Sequence, residues 1–138
     1  MKPMKGKVFL DTNILIYCYS EDDPAKRQVA TRLVSNSHSI ISTQVIQEFC
    51  NTLSKKFKLD WKVIGLVIDE LENNFEVHTN SMQTIEKARQ VASNQKFSFY
   101  DSLIVAAALE SGCESLYSED MQHGQVIENQ LVIRNPFL

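Results

Sequence analysis

Short apolar runs alternate with longer stretches of helical period along this chain, and that alternation restricts the fold more than any other feature. Val8-Phe9-Leu10, Ser39-Ile40-Ile41, Phe75-Glu76-Val77 and Ser115-Leu116-Tyr117 read as strands. Continuous apolar runs of this length suit strands buried on both faces, as in a parallel sheet. Two late strands, Val126-Ile127 and Leu131-Val132-Ile133, flank a turn at Glu128-Asn129. Strands that return after each helix predict an α/β/α sandwich with a mainly parallel central sheet. In such sheets the binding crevice lies at the carboxyl ends of the strands.

The intervening segments carry helix signals. A first helix begins around Ile14 and runs to Tyr19. Asp23 as cap and Pro24 as first residue open the next, to about Ser35. It places Val29, Ala30, Leu33 and Val34 on one face and Lys26, Arg27 and Arg32 toward water. Ser42 or Thr43 caps a helix to about Phe57, with Val45, Ile46, Phe49, Cys50, Leu53 and Phe57 at core spacing. Asp60 caps another, with Trp61, Ile64, Val67, Ile68 and Leu71 inward. Ser81 to Asn94 forms a further helix, and Ser98-Phe99-Tyr100-Asp101 opens the last, which ends at Ser111 before Gly112.

With 138 residues, 43% of them hydrophobic, the expectation is one domain over residues 1–138. Cys18, Cys50 and Cys113 are odd in number and widely spaced among apolar neighbours. They form neither a disulfide framework nor a zinc motif and suit a reducing compartment. From Met1 to Leu10 the chain has lysines and one short apolar run, which Asp11-Thr12-Asn13 interrupts before a signal-peptide core can form. The longest apolar run, Leu103 to Leu109, is far short of a membrane span. The expected location is the cytoplasm, with no membrane partner.

Asp11 follows the first strand and Asp120 lies a few residues past the fourth, so both reach one sheet edge. Either alone is also an ordinary turn residue or helix cap. Glu48 sits in the first half of its helix, at the border of the buried face, where a charge needs a partner or solvent. Asp101 has a competing role, because Ser98-x-x-Asp101 resembles a capping box and the helix dipole favours an acid there. The two roles can coexist.

Convergent carboxylates suit metal-assisted phosphodiester cleavage. Hard cations such as Mg²⁺ or Mn²⁺ prefer oxygen ligands and keep several waters. A pair of such ions about 3.5–4 Å apart can activate water and stabilise a leaving oxygen. Asp11, Glu48, Asp101 and Asp120 are therefore the candidate catalytic and metal-binding residues. The net charge of −3 does not exclude a nucleic acid, since the chain without those four acids is at about +1.

Four phrases in series resemble PIN-domain ribonucleases. They are Phe9-Leu10-Asp11-Thr12-Asn13, Glu48 in the helix after the second strand, Asp101-Ser102-Leu103-Ile104-Val105-Ala106-Ala107-Ala108, and Leu116-Tyr117-Ser118-Glu119-Asp120-Met121. The resemblance covers nearly the whole chain and is closest to the VapC-type toxins of bacterial type II toxin–antitoxin pairs. It implies Mg²⁺ or Mn²⁺ as cofactor, endonucleolytic cleavage of single-stranded RNA, a homodimer and inhibition by a cognate antitoxin protein.

Supporting roles follow from position. Thr12 and Asn13 would orient Asp11, and Ser118 would orient Asp120 or hold a water. The motif favours Asp120 over Glu119 as fourth ligand. Asp22 and Asp23 read as helix-start residues. Lys55, Lys56 and Lys58 would receive an RNA backbone or form a solvated helix end. His38 and His78 are isolated, and His123 reads as a surface-loop residue that also stands near enough to Asp120 to touch phosphate.

Rival chemistries fit less well. A haloacid-dehalogenase-like phosphatase needs an acid two residues after Asp11, where Asn13 stands. A phospho-receiver domain needs an acidic pair near the first strand, which is not well placed here. The alternative from another class is a PIN fold that binds RNA or protein without turnover.

Overall fold

The computed structural model describes residues 6–138. Lys2 and Lys5 of the amino-terminal reading lie outside those residues.

Along the chain the elements are β1 (Lys7–Leu10), α1 (Thr12–Tyr19), α2 (Pro24–Asn36), β2 (His38–Ser42), α3 (Thr43–Lys55), α4 (Trp61–Asn74), β3 (Glu76–His78), α5 (Met82–Gln95), α6 (Phe99–Glu110), β4 (Ser115–Tyr117), β5 (Val126–Ile127) and β6 (Leu131–Arg134). The strands form one sheet in the order β3-β2-β1-β4-β6-β5. Four pairings are parallel, and only the β5–β6 hairpin is antiparallel. Three residues separate the paired Ile127 and Leu131; Glu128 and Asn129 both have positive φ, 52° and 54°, in a turn closed by Gln130 N donating to the Ile127 carbonyl at 3.0 Å.

The crossovers explain the layers. From β1 to β2 and from β2 to β3 the chain steps one way across the sheet, and from β3 to β4 it steps back. Right-handed connections then place α1–α4 on one face and α5–α6 on the other. Phe9, Leu10, Ile40, Ile41 and Leu116 are fully buried between them. Ser102 through Leu109 on α6 are all buried, which accounts for a helix apolar on every side. Among the described residues no helix is long and apolar enough to cross a membrane.

The caps read from sequence at Asp23, Ser42 and Asp60 are present, and Ser81 caps α5 in the same way. Ser42, Asp60 and Ser81 accept from the third residue of the helices they open, and Asp23 from Lys26 N. Gly112 follows α6 with φ +71°.

Several details differ from expectation. Trp61, the first residue of α4, is 69% exposed, whereas Ile64, Val67 and Leu71 on the same helix are buried. Val29 is at the margin of its face and exposed, leaving Ala30 as the buried contact of α2. Lys26 is not simply solvated, since it pairs with Glu119 and lies over the Tyr17 and Phe137 rings. The third helix ends at Lys55, and Phe57 packs on the core from the following turn.

Candidate active site

Asp11 stands where β1 ends, and its backbone N–H donates to the Tyr117 carbonyl at 3.0 Å. The strand pairing thus fixes it at the carboxyl edge of the sheet. It caps α1, accepting from Thr12 N at 2.8 Å, while its second oxygen accepts from Ser118 Oγ at 2.8 Å. The residue is only 9% exposed. Burial pushes its carboxyl up to about 6, the charges of Glu48 and Asp101 push the same way, and the hydrogen bonds from Ser118 and Thr12 oppose the shift.

Around it the structure brings three more acids. Thr12 Oγ1 donates to Glu48 Oε1 at 2.7 Å, which gives that otherwise exposed carboxylate a fixed partner. Asn13 Nδ2 donates to Asp120 Oδ2 at 3.1 Å, and Asp120 N donates to Ser118 Oγ at 3.3 Å. Thr12 and Asn13 therefore orient Glu48 and Asp120 through their side chains. Asp101 lies in the first turn of α6, half-buried, with its N–H donating to Ser98 Oγ at 3.2 Å. Only that half of the capping pattern is formed.

Asp11, Glu48, Asp101 and Asp120 all line one cleft of about 260 Å³. Thr12, Asn13, Gln44, Thr52 and Tyr100 complete the polar wall, with Ile16 and Ile104 as its apolar part. Two buried amide oxygens on this wall, Asn13 Oδ1 and Gln44 Oε1, have no hydrogen-bond partner. Buried acceptors without donors are costly unless something supplies charge or protons. Four carboxylates and two spare amide oxygens form a hard-oxygen donor set, which fits Mg²⁺ or Mn²⁺ and not a thiophilic metal. Among the described residues no three acidic, histidine or cysteine side chains are gathered into a ready-made cage. The carboxylates stand around an open cleft instead.

Glu119 faces elsewhere. It accepts from Tyr17 Oη at 2.6 Å and pairs with Lys26, whose ammonium pulls its carboxyl down against the opposing effect of burial. Lys55, Lys56 and Lys58 are exposed at the carboxyl end of α3, beyond Thr52, and are not part of the cleft lining. His123 accepts from Asn135 N at 2.9 Å, which makes it a loop tie. His78 lies between Asn80 and Glu110, and His38 lies beside Glu76. The three cysteines are free, Cys113 is buried, and burial pushes its thiol up to about 12.

The sequence reading missed Gln44, Thr52 and Tyr100. Gln44 and Thr52 flank Glu48 by one helical turn on either side, so the i±4 rule would have found them once Glu48 was chosen. Tyr100 had no signal beyond adjacency to Asp101.

The PIN domain family matches residues 8–128, a span that contains all four acids. The chain belongs to the PIN domain family. Solved structures with this fold include a toxin–antitoxin complex from Klebsiella pneumoniae, at TM-score 0.69 and 19% identity over 94% of this chain and 97% of that one. DNA-bound VapBC from Salmonella typhimurium aligns at TM-score 0.68 and 18% identity, covering 96% and 99%. A sarcin-ricin-loop-cleaving VapC toxin from Mycobacterium tuberculosis aligns at TM-score 0.64 and 17% identity, covering 79% and 86%. At these identities the structures establish the PIN fold of this chain. No curated protein matches the sequence.

Proposed function

We propose that this PIN-domain protein is a Mg²⁺- or Mn²⁺-dependent endoribonuclease acting on single-stranded RNA, and the toxin of a type II toxin–antitoxin pair. The observation that carries the nuclease reading is the single cleft that collects Asp11, Glu48, Asp101 and Asp120 at the carboxyl edge of the sheet. The structural neighbours that are VapC toxins or toxin–antitoxin complexes support the toxin reading. A single nuclease domain over residues 1–138, a cytoplasmic location, a homodimer and a cognate antitoxin complete the proposal.

The chemistry follows from how the side chains are held. Asp11, Glu48, Asp101 and Asp120 would hold a divalent cation, which would supply the positive charge that phosphodiester hydrolysis needs. Ser118 and Thr12 fix Asp11 so that both of its oxygens keep one orientation. Thr12 does the same for Glu48, and Asn13 for Asp120. Asn13 Oδ1 and Gln44 Oε1 are free to accept hydrogen bonds from an ordered water in the cleft. In this reading Lys55, Lys56 and Lys58, exposed beyond Thr52, would meet the phosphates of a bound strand.

The test is induced expression in a bacterial host, with and without the neighbouring gene, followed by sequencing of RNA ends. Wild type is expected to arrest growth and create discrete new ends, the neighbour to relieve the arrest, and Asp11→Asn to do neither. New ends that persist in Asp11→Asn would remove the site. Harmless expression of folded wild type would remove the toxin reading. RNA binding with no new ends in any arm would favour a binding module without turnover.

A further inference from the structure

We propose that Tyr100 is a stacking platform for one nucleobase of the substrate strand, at the rim of the carboxylate cleft. The proposal rests on the single-stranded RNA reading above.

Tyr100 is 69% exposed, whereas the eight residues from Ser102 to Leu109 on the same helix are all buried. Its aromatic neighbour is Phe99, edge to face at 5.9 Å between centroids, and most of the side chain stays open to water. A tyrosine exposed in a cleft wall is more informative than one exposed on a general surface. The ring's anchor is not free. Gln44 Nε2 donates to the Tyr100 carbonyl at 3.2 Å, and Gln44 is itself only 6% exposed. The main chain beneath the ring is therefore pinned to α3, so only the torsions of the ring itself remain to be ordered on binding.

Two further features point to a nucleotide. The other amide atom of the same side chain, Gln44 Oε1, lines the cleft without a partner. It is an acceptor for a ribose hydroxyl or a base amine beside the ring. Moreover, among the described residues no lysine or arginine lines the cleft. The carboxylates of the cleft would meet a phosphate only through a cation they hold, so an uncharged π-face is what remains in the wall to grip the adjoining nucleoside. Base–aromatic stacking tolerates any base, because every base has a π-face.

The experiment is steady-state cleavage, with Mn²⁺, of a short single-stranded RNA and of a series carrying one abasic position each. Wild type, Tyr100→Ala, Tyr100→Leu, Tyr100→Phe and Tyr100→Trp are compared, with melting curves for all. Tyr100→Ala and Tyr100→Leu are expected to raise KM roughly 5- to 150-fold, with kcat and melting temperature little changed. The Phe and Trp variants should keep the wild-type KM. At one abasic position wild type should lose a similar factor, and Tyr100→Ala should lose nothing further there. An unchanged KM in both Ala and Leu variants, or an equal abasic penalty in wild type and Tyr100→Ala, overturns the proposal. So does an unchanged KM combined with weakened binding of a co-expressed protein partner, which would make Tyr100 a protein contact. If wild type cuts no RNA, the nuclease reading itself fails, and this one with it.

Discussion

Ser118 Oγ donates to Asp11 Oδ2 at 2.8 Å and so ties the segment after β4 to the end of β1. The same hydroxyl accepts from Asp120 N at 3.3 Å. One buried oxygen thereby sets the relative position of two carboxylates that are 109 residues apart in sequence. Ser118 is fully buried, so no water can replace it without rearrangement.

Removing that hydroxyl has a definite consequence. Ser118→Ala is expected to weaken Mn²⁺ binding about 10- to 100-fold, the usual effect of losing a partner that orients a ligand. Ser118→Thr should retain most of the affinity. Calorimetric Mn²⁺ titration of the three proteins measures this, and equal affinities would show that Asp11 needs no such support.

Stability without metal should depend on pH through Asp11. Its folded value of about 6 lies above the ordinary 3.8, because burial disfavours the charge. A raised carboxyl stabilises the fold fully below the unfolded value, and that contribution is lost as pH rises through the folded one. In EDTA, wild type should lose stability relative to Asp11→Asn between about pH 4 and pH 6, by on the order of 3 kcal/mol. In Mn²⁺ the trend should oppose this, because the cation favours the ionised form. Denaturant melts across that window decide it, and a pH-independent difference in EDTA would mean that Asp11 is not desolvated.

Asp101 carries two roles that melting curves separate. As a first-turn acid alone, its change to Asn costs a few tenths to about 1 kcal/mol, with or without metal. As a ligand it adds like charge near Asp11, so Asp101→Asn should be as stable as wild type in EDTA, or more so. Mn²⁺ at a hundredfold excess over Kd should stabilise wild type by about 2.7 kcal/mol and the variant much less. An equal Mn²⁺ shift in both proteins would leave Asp101 a helix-start residue.

Neighbouring acids in the last motif should behave differently. Glu119 is turned toward Lys26 and Tyr17, while Asp120 lines the cleft. Glu119→Gln is expected to leave Mn²⁺ affinity within about twofold of wild type, and Asp120→Asn to lower it at least tenfold, or about 1.4 kcal/mol. The reverse order of effects would exchange their roles.

Local chemistry explains what was legible in the sequence. Strand–helix alternation, the caps at Asp23, Ser42 and Asp60, and the Glu128-Asn129 turn are properties of a few adjacent residues, and they read directly. Asp11, Glu48, Asp101 and Asp120 were legible as candidates because each stands at an element end or on a helix border. Their hydrogen-bond partners were only half legible. Thr12 and Asn13 were expected to serve Asp11, but their side chains reach Glu48 and Asp120, which are 36 and 107 residues away. The Gln44–Tyr100 contact joins α3 to α6 across 56 residues, and no local pattern encodes it. Trp61 and Val29 were misread for a related reason. A helical wheel marks which residues share a face, but the neighbour decides how wide the covered part of that face is.

The most direct measurement is the rate at which purified protein cleaves a generic single-stranded RNA as Mn²⁺ is titrated, for wild type and Asp11→Asn, with circular dichroism to confirm that both are folded. The expected result is saturable, Mn²⁺-dependent cleavage by wild type that EDTA abolishes, and no cleavage by an Asp11→Asn protein with an unchanged spectrum. Cleavage by wild type that persists in EDTA, or full activity in Asp11→Asn, would contradict the assignment of the carboxylate cleft as a metal-dependent nuclease site.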